Sequence, residues 1–420
     1  MHKKILSLVL SGTIALGLVG CGNSEANNTE VDDSDSLYAS DAKLKLWGSQ
    51  DDQAYLQEAV DSFKQDFPEA ANWDIELAVV SSADAKDQVL KDSEAAADVF
   101  EFASDQLYGL VTAGTLYKIT SDREDIEQRN TQTAVDAATL DGNLYGYPST
   151  SNSYIMYYDK SKYTEDEVKN LDTMLEKDLG SDVNFAMDLD NGWYMASFFF
   201  GNGCTLFGAD GQDSSECSFN NKNGVEVGNY LVDLINNKKV GNYDDTLLLS
   251  GFADRKLGAA ITGTWNAEAI KESLGDDFAV TTFPTIKLAD GKEVQPSPIV
   301  NFNIYGVNAQ TKYPLEAMAL ANYITSEKIQ KIRFEQRSST PVNNALVEDE
   351  ELLASKPAVS ALASQVALAS TVQTSNPQIS NFWSPMEAFG QDCIAGKITH
   401  DNVQQALDTL VESILAKLGE

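Results

Sequence analysis

Histidine and positive charge are scarce in this 420-residue chain. It has two histidines, His2 and His400, and 30 Lys and Arg against 64 Asp and Glu, for a formal net charge of −34. Two imidazoles make histidine-centred catalysis or a histidine-rich zinc site a poor interpretation. The acidity disfavours nucleic acid, an anionic lipid surface or a strongly anionic ligand as partner, because each needs a cationic footprint.

Several catalytic and cofactor motifs are also missing. The sequence has no phosphate-binding loop ending in Gly-Lys-Ser/Thr, no dinucleotide fingerprint and no Gly-x-Ser-x-Gly elbow. The run Asp188-Leu189-Asp190-Asn191-Gly192 is calcium-like, but its spacing departs from that of an EF-hand. With 64 acids, some carboxylate pair at glycosidase spacing is expected by chance and is no evidence of catalysis. We therefore expect no cofactor and no metal.

The N-terminus has the pattern of an export signal followed by a lipid anchor. A short basic start precedes an apolar run over residues 5–20, which is too short for a comfortable transmembrane helix. The tetrapeptide that ends in Cys21, Leu-Val-Gly-Cys, resembles the bacterial lipobox, so we predict a signal peptide over 1–20 and lipidation of Cys21. The alternative is an uncleaved helix with a buried cysteine. Residues 22–41 hold six acids and no Lys or Arg, so 21–41 reads as a lipidated cysteine with a disordered acidic tether.

Three further cysteines bear on possible disulfides. Cys204 and Cys217 flank Asp210-Gly211, a strong hairpin signal, and an extracytoplasmic location permits oxidation. A Cys204–Cys217 disulfide and two free thiols are equally compatible with the sequence, because the turn register is open. Cys393 is left over and reads as a buried free thiol.

The body of the chain alternates strand and helix patterns. Strands are expected at 44–47, 73–80 and 98–102, and helices at 52–66, 83–94, 225–237, 315–334 and 403–418. Asp-Gly pairs mark hairpins at 141–142, 210–211 and 290–291. Strand–helix–strand units at this spacing predict an α/β fold with parallel pairing, and ligands beyond the carboxyl ends of the strands.

Tryptophans are the most informative residues that remain. Trp73 opens a strand and is expected in or near the core, whereas Trp47 closes a strand at the end where a site is expected. Trp193, Trp265 and Trp383 each lie among polar or helix-breaking residues and continue no amphipathic stripe. Indole faces stack on the C–H faces of pyranose rings, while acids and amides bind hydroxyls, so this pattern favours a neutral, hydroxyl-rich ligand.

The order of these segments over about residues 42–420 resembles that of extracellular solute-binding proteins of sugar ABC importers, within that group the maltodextrin-binding type. The segments that carry the resemblance are Leu44 to Trp47, Asp98 to Phe100 with Asp105, Gly142 to Pro148 leading into Tyr154 to Lys160, and Ala259 to Trp265. It implies a two-lobed periplasmic-binding-protein-like fold with a hinge and a ligand cleft between the lobes. The implied lobes are 42–150 plus 299–338 and 151–298 plus 339–420.

The resemblance also implies site residues. Trp193, Trp265 and Trp383 fall where the family keeps sugar-stacking aromatics, and Asp51 and Asp105 where it keeps carboxylates. Departures occur at three positions: Asn152 replaces a glutamate, Gln106 an arginine and Asp52 a lysine. The neighbours Gln50, Tyr194 and Trp47 complete the candidate substrate-binding set.

The sequence thus predicts a binder and not an enzyme. It would capture a neutral oligosaccharide, with maltodextrins as first choice and a β-linked or fructose-containing one as runner-up. Its partners would be the transmembrane subunits of an ABC permease and, through the lipid anchor alone, the membrane; we expect a monomer. A surface-anchored glycan-degrading enzyme and a structural or adhesive lipoprotein are the alternatives.

Overall fold

The computed structural model describes residues 37–418, so the predicted leader, the anchor Cys21 and most of the tether lie outside the described residues. The last residues of the predicted tether pack on the folded body. The Tyr38 ring lies 5.2 Å from the Phe67 ring, and Trp73 donates its Nε1 hydrogen to the Ala39 carbonyl at 2.8 Å. The ordered body therefore begins a few residues before the predicted start at 42.

The strands, in chain order, are Lys43–Gly48 (β1), Asp74–Val79 (β2), Val99–Ala103 (β3), Thr139–Leu140 (β4), Asn143–Leu144 (β5), Tyr147–Asn152 (β6), Tyr154–Asp159 (β7), Val183–Met187 (β8), Val240–Asn242 (β9), Leu257–Gly263 (β10), Phe278–Thr281 (β11), Ile286–Lys287 (β12), Glu293–Val294 (β13), Ile299–Val307 (β14), Thr340–Pro341 (β15) and Thr371–Val372 (β16).

The helices are Gln53–Asp66 (α1), Ala85–Lys91 (α2), Leu107–Thr112 (α3), Arg123–Arg129 (α4), Gln132–Ala137 (α5), Leu171–Glu176 (α6), Gly192–Gly201 (α7), Lys222–Ile235 (α8), Asp245–Ala253 (α9), Ala267–Leu274 (α10), Pro314–Ile324 (α11), Glu327–Arg337 (α12), Asn344–Val347 (α13), Glu350–Ala354 (α14), Pro357–Leu368 (α15), Trp383–Ile394 (α16) and Val403–Ile414 (α17). Within residues 37–418, none of them is both long and apolar enough to cross a bilayer.

Two separate sheets divide the chain into two lobes. The first sheet has the order β15-β6-β14-β3-β1-β2, with β16 also paired to β14; the second has the order β11-β7-β10-β8-β9. β1 pairs in parallel with β2 and β3, and β8 pairs in parallel with β9 and β10. These parallel pairs confirm the predicted α/β class, because each needs a crossover connection that a helix supplies.

Each lobe has its own apolar core. Helices α1 and α11 cover the first sheet and bury Tyr55, Leu56 and Phe63 against it. Helices α7, α8, α16 and α17 build the larger core of the second lobe. The helix predicted at 403–418 is α17. Its apolar face is buried, with the residues Val403, Leu407, Leu410, Val411 and Ile414.

The chain passes between the lobes through short segments. The first is Ser153, which separates β6 of the first sheet from β7 of the second and donates its hydroxyl hydrogen to the Ile299 carbonyl at 2.8 Å. The second leads into β14 at Ile299. β6 runs to Asn152, and β15 and β16 belong to the first sheet, so these strands extend past the proposed lobe boundaries at 150 and 338.

Two local expectations differ from the structure. The predicted helix at 315–334 is two helices, because Thr325 leaves helical geometry and Ser326 is extended at φ −68°, ψ 161°. The Asp-Gly pairs at 141–142 and 290–291 do close hairpins, β4–β5 and β12–β13. Around 210–211 there is a single bridge between Leu206 and Cys217 in place of paired strands.

Candidate functional site

The predicted site residues follow the carboxyl ends of strands in both lobes. Gln50 and Asp51 follow β1, and Asp105 lies in a short turn after β3. In the second lobe, Trp193 lies beyond β8 and Trp265 directly after β10. Strand ends of this kind are where α/β proteins bind ligands, because the loops there are free to carry side chains.

Trp193 and Trp265 lie side by side. Their ring centroids are 5.9 Å apart and their planes differ by 31°, although 72 positions separate them in sequence. Both rings are half-buried. Two adjacent, half-buried indoles tilted by this angle provide aromatic faces of the kind that suit the C–H face of a sugar ring, and we call this pair the platform.

Trp193 is held by capping and by aromatic support. Asn191 caps α7 by accepting the Trp193 backbone N–H at 3.0 Å. The Tyr154 hydroxyl donates to the Trp193 carbonyl at 2.8 Å, and the Tyr154 ring meets the indole nearly edge-on, with centroids 4.6 Å apart. Tyr194, predicted as a site residue, is buried and supports the indole at 5.1 Å. Trp193 Nε1 is buried without a hydrogen-bond partner among residues 37–418.

Trp265 is fixed by a carboxylate and a glycine. Its Nε1 donates to Asp245 Oδ2 at 2.8 Å, and the Thr262 hydroxyl donates to the other oxygen, Oδ1, at 3.0 Å. The indole lies against Gly263, where a Cβ would stand 1.8 Å from Cζ3. Only glycine at this position leaves room for this ring orientation.

Trp383 begins α16 and is half-buried. Its ring packs edge-on against Phe382, with centroids 5.0 Å apart. Helices α7 and α16 begin side by side, because Gly192 has no side chain to keep Met386 away. A Cβ atom on residue 192 would lie 2.9 Å from the Cβ of Met386, which is too close. Trp383 Nε1 is likewise buried and finds no acceptor in the described part of the chain.

Asp105 meets the second lobe at Trp383. Burial raises the pKa of Asp105 to about 6, while the nearby Gln373 and Trp383 side chains, with Lys86 further off, oppose the rise. Within residues 37–418 the side-chain amide atoms of Gln373 and the Nε1 of Trp383 have no partner at hydrogen-bond distance, so both side chains face the Asp105 carboxyl group at a longer range. A small cavity beside Asp105 is lined by Ser104 of the first lobe and Asn376 near α16.

Asp51 is exposed, whereas its neighbour Asp52 belongs to a buried ion network. Arg333 donates to Asp52 at 2.7 Å and to Glu101 through both of its terminal nitrogens. Arg337 donates its Nε hydrogen to Asp52 at 3.2 Å and lies 3.5 Å from Asp51. Two arginines balance the two buried carboxylates, so the network is close to neutral.

The structure does not bring every predicted residue into the cluster. Trp47 is 9% exposed and packs against Phe100 in the core of the first lobe, so it is a core residue. Gln106 is buried and its amide serves the backbone, donating to Ser82 and Ala83 and accepting from the Lys86 N–H. Both are therefore left out of the site proposed below.

The other two amides are better placed. Gln50 is exposed in the turn after β1, with its side chain toward solvent. Asn152 is half-buried at the end of β6, opposite Asn301 of β14. Asn152 thus lies at the first crossing between the lobes.

A carboxylate pair lies next to Trp193. Burial and the neighbouring Asp190 raise the pKa of Asp188 to about 7. Asn191 donates to Asp188 at 3.3 Å, and Asn242 donates to Asp190 at 2.9 Å. Within residues 37–418, no group of three or more His, Cys, Asp and Glu side chains is arranged to hold a metal ion.

Cys204 and Cys217 are not bonded to each other in the structure. Cys204, Cys217 and Cys393 are all free thiols in the described chain. The bridge pairs Cys217 with Leu206, and Ser218 with Thr205 through the Ser218 N–H at 3.0 Å, so the register offsets the two cysteines. Burial raises the pKa of Cys204 to about 12 and that of Cys217 to about 11, which keeps both protonated.

Sequence reasoning missed several residues that line or support the site. Asp245 and Arg337 contact Trp265, and Tyr154 supports Trp193. Gln373 faces Asp105 from the position directly after β16, a two-residue strand with no periodicity to reveal it. The Asp244-Asp245 pair before an apolar run was the available signal for α9, since Asp244 caps it.

The sequence matches known binding proteins along its length. The signature of the bacterial extracellular solute-binding protein family matches residues 58–361. The galactooligosaccharide-binding protein of Bacillus subtilis (strain 168) is 26% identical over 430 residues, covering 98% of this chain and 97% of that protein. A maltooligosaccharide ABC transporter solute-binding lipoprotein of Streptococcus pneumoniae (strain ATCC BAA-255 / R6) is 24% identical, and the match covers 100% of this chain and 99% of that protein.

Solved structures agree with the two-lobed architecture. One structure determined with acarbose is 34% identical, with a TM-score of 0.82 over 89% of this chain and 98% of that chain. The maltodextrin-binding protein MalE1 from L. casei BL23, solved without ligand, is 29% identical, with a TM-score of 0.74 over 90% of this chain and 100% of that chain. The expected fold is thereby confirmed, and the chain belongs to the bacterial extracellular solute-binding protein family.

Proposed function

We propose that this protein captures a neutral oligosaccharide between its two lobes and delivers it to the membrane subunits of an ABC importer. The observation that carries the proposal is the arrangement of three half-buried indoles around strand ends. Trp193 and Trp265 form a platform with ring centroids 5.9 Å apart, and Trp383 faces Asp105 of the other lobe. Stacking faces and hydroxyl-binding groups thus occur together, as sugar recognition requires.

The site offers the hydrogen-bonding groups that match hydroxyls. Trp193 Nε1 and Trp383 Nε1 are donors without an acceptor among the described residues, and Asp105 is a carboxyl group that a hydroxyl can approach. A buried donor left unpaired costs about 1–3 kcal/mol, so a ligand that supplies acceptors gains affinity there. The residues that we assign to substrate binding are Trp193, Trp265, Trp383, Asp105, Asp51, Asn152 and Gln50, with Tyr194 as support.

Relatives narrow the class of sugar. The curated relatives are named for maltooligosaccharides, maltodextrin and galactooligosaccharides, and one similar structure was determined with acarbose. We therefore take maltodextrins as the first candidate and a galactooligosaccharide as the second. Both are neutral, which suits a chain of net charge −34.

In the proposed cycle the lobes act as a clamp. An oligosaccharide stacks on the second-lobe indoles, and closure brings Asp105 and the amides of the first lobe onto its hydroxyls. The closed form is favoured because both lobes then contact the sugar, which the open form does not allow. The permease accepts the closed form.

We also propose that Cys21 anchors the protein to the outer face of the bacterial cell membrane, with the acidic segment up to about residue 37 as the tether. The mature protein would be a monomer without a cofactor. Mass spectrometry of the detergent-extracted protein would test the anchor. A diacylglycerol adduct on an N-terminal Cys21 supports it, and an unmodified residue 1 or 21 contradicts it.

A sugar panel tests the proposed function. Thermal shift and calorimetry would be run with maltotriose to maltoheptaose, β-1,4-galactotriose and a fructose-containing trisaccharide. Saturable stabilisation by one of these classes supports the proposal, and no shift with any of them contradicts it. The same mixtures, kept for a day and analysed for shorter products, separate a binder from a glycan-degrading enzyme, since a binder returns every sugar intact.

A further inference from the structure

Three amide side chains form a row across adjacent strands of the first sheet. Asn152 of β6 is the direct antiparallel partner of Asn301 of β14. β16 pairs in parallel with β14 and places Val372 opposite Val300, so the residues that follow these two, Gln373 and Asn301, are neighbours. Paired positions on adjacent strands carry their side chains on the same face of a sheet. We call these three residues, Asn152, Asn301 and Gln373, the amide row.

Part of the amide row is buried without hydrogen-bond partners. Both amide atoms of Gln373 and the Oδ1 of Asn301 are excluded from solvent and unpaired within the described chain. The backbone beside them is satisfied, because the Gln373 N–H donates to the Val300 carbonyl at 2.8 Å. The paired backbone thus holds the side chains in place, while Asn301 Oδ1 and both amide atoms of Gln373 have no partner at hydrogen-bond distance within residues 37–418. Such atoms are rare in folded proteins and call for an explanation.

The row lies where the two lobes meet. Gln373 faces Asp105. After β16 the chain continues through Pro377–Asn381 directly into Trp383. Asn152 precedes Ser153, the first crossing between the sheets. The row therefore spans two of the segments that connect the lobes, and its Gln373 faces the same carboxyl group as Trp383.

We propose that the amide row binds the hydroxyl edge of one sugar unit and is a determinant of ligand specificity; this inference rests on the proposed function. An amide carries both a donor and an acceptor, and a hydroxyl does so too, so each can satisfy the other. The row carries no charge, and so it recognises the positions of hydroxyl groups on a neutral ring and not ionic substituents.

The matching experiment removes polarity while keeping shape. Gln373→Met and Asn301→Leu are nearly isosteric, and Gln391→Met, at an exposed position of α16, is the matched control. Calorimetry with maltotriose and with β-1,4-galactotriose would measure the affinity of each full-length variant. We expect Gln373→Met and Asn301→Leu to weaken binding about 5- to 100-fold, because sugar hydroxyls lose their partners. The Gln391→Met control should match the unaltered protein.

Melting temperature without sugar separates binding from folding. The unpaired atoms of Gln373 and Asn301 make no hydrogen bond within residues 37–418, and at pH 5 the Asp105 carboxyl that Gln373 faces, with its pKa of about 6, is mostly protonated. At that pH the replacements should therefore leave the melting temperature equal or higher. A lower melting temperature together with weaker binding would mean a structural role and overturn the proposal. Unchanged affinity in both variants would overturn it as well.

Deoxy sugars test which groups the row contacts. We expect the unaltered protein to lose affinity for a maltotriose, or galactotriose, lacking one particular hydroxyl, and Gln373→Met to be indifferent to that same change. Equal losses in both proteins would overturn the assignment. If the unaltered protein bound no sugar of the whole panel, the proposed function itself would fail, whereas intact binding with insensitive variants would remove only the amide row.

Discussion

Arg337 Nη2 donates a hydrogen bond to the Trp265 carbonyl at 3.3 Å and so joins the last turn of α12, in the first lobe, to the turn that carries a stacking indole of the second. The same guanidinium donates to Asp52 at 3.2 Å, and Asp52 is anchored by the buried Arg333. One arginine thus links an ion network in one lobe with the turn that holds Trp265 in the other.

Loss of this link should weaken both ligand binding and the fold. We expect Arg337→Met to lower oligosaccharide affinity about 3- to 30-fold, since a hydrogen bond from a charged donor contributes about 1.5–3 kcal/mol. Asp52 keeps Arg333, but the buried network loses one of its two balancing positive charges, so we also expect the urea midpoint to fall. Arg123→Met, which breaks an exposed pair with Glu127, is the control. A large loss of stability with unchanged affinity would contradict this role.

Each indole of the site should contribute separately to affinity. We expect Trp193→Ala, Trp265→Ala and Trp383→Ala each to cost about 1–3 kcal/mol of binding, as buried aromatic anchors do. Trp→Phe changes at the same positions should cost less, because a ring face remains. Calorimetry with the best panel sugar measures this. Unchanged affinity in all three alanine variants would show that the site lies elsewhere.

Stability should fall as pH rises because of Asp188. Its pKa of about 7 exceeds the value of about 4 for a free aspartate, so between those pH values the folded protein binds more protons here than the unfolded chain. The free energy of unfolding therefore decreases through that window. Asp188→Asn removes the ionisation, and we expect it to be more stable than the unaltered protein at pH 8 and equal to it near pH 4.

Urea unfolding at several pH values checks the Asp188 prediction. Asp87→Asn, an exposed carboxylate with 81% of its side chain accessible, is the control and should not change the pH profile relative to the unaltered protein. A constant difference between Asp188→Asn and the unaltered protein at all pH values would contradict the assigned pKa.

The thiols should be available for alkylation once the protein is unfolded. Because Cys204 and Cys217 are offset in register, we expect both to be labelled without a reductant. They fall in one tryptic peptide, 178–222, which should gain two labels, while the peptide carrying Cys393 gains one. A peptide 178–222 with no label and a mass lower by two hydrogens would mean a disulfide.

Much of the fold could be predicted because it rests on local patterns. The alternation at 44–47 and the stripe at 52–66 became β1 and α1, and their parallel pairing follows from strand–helix–strand order. Polar, helix-breaking surroundings also singled out Trp193, Trp265 and Trp383. These signals lie within a few residues of one another in the chain.

The rest of the site depends on contacts between distant segments. In the sequence, Arg337 is simply a cation in the last turn of a polar helix. No neighbouring residue indicates that it contacts Trp265, which lies 72 positions away. Gln106 and Trp47 occupy positions along the chain that are plausible for ligand contacts. In the structure, however, Gln106 hydrogen-bonds to backbone groups and Trp47 packs on Phe100. Whether Cys204 lies opposite Cys217 depends on the register of the two segments, and a turn motif does not determine that register.

The decisive measurement is calorimetric titration of the full-length protein with maltotriose, followed by β-1,4-galactotriose and the other sugars of the panel. We expect saturable binding of at least one of them with one sugar per protein, and recovery of the sugar unhydrolysed. Absence of heat and of thermal stabilisation with every neutral oligosaccharide of the panel would contradict it.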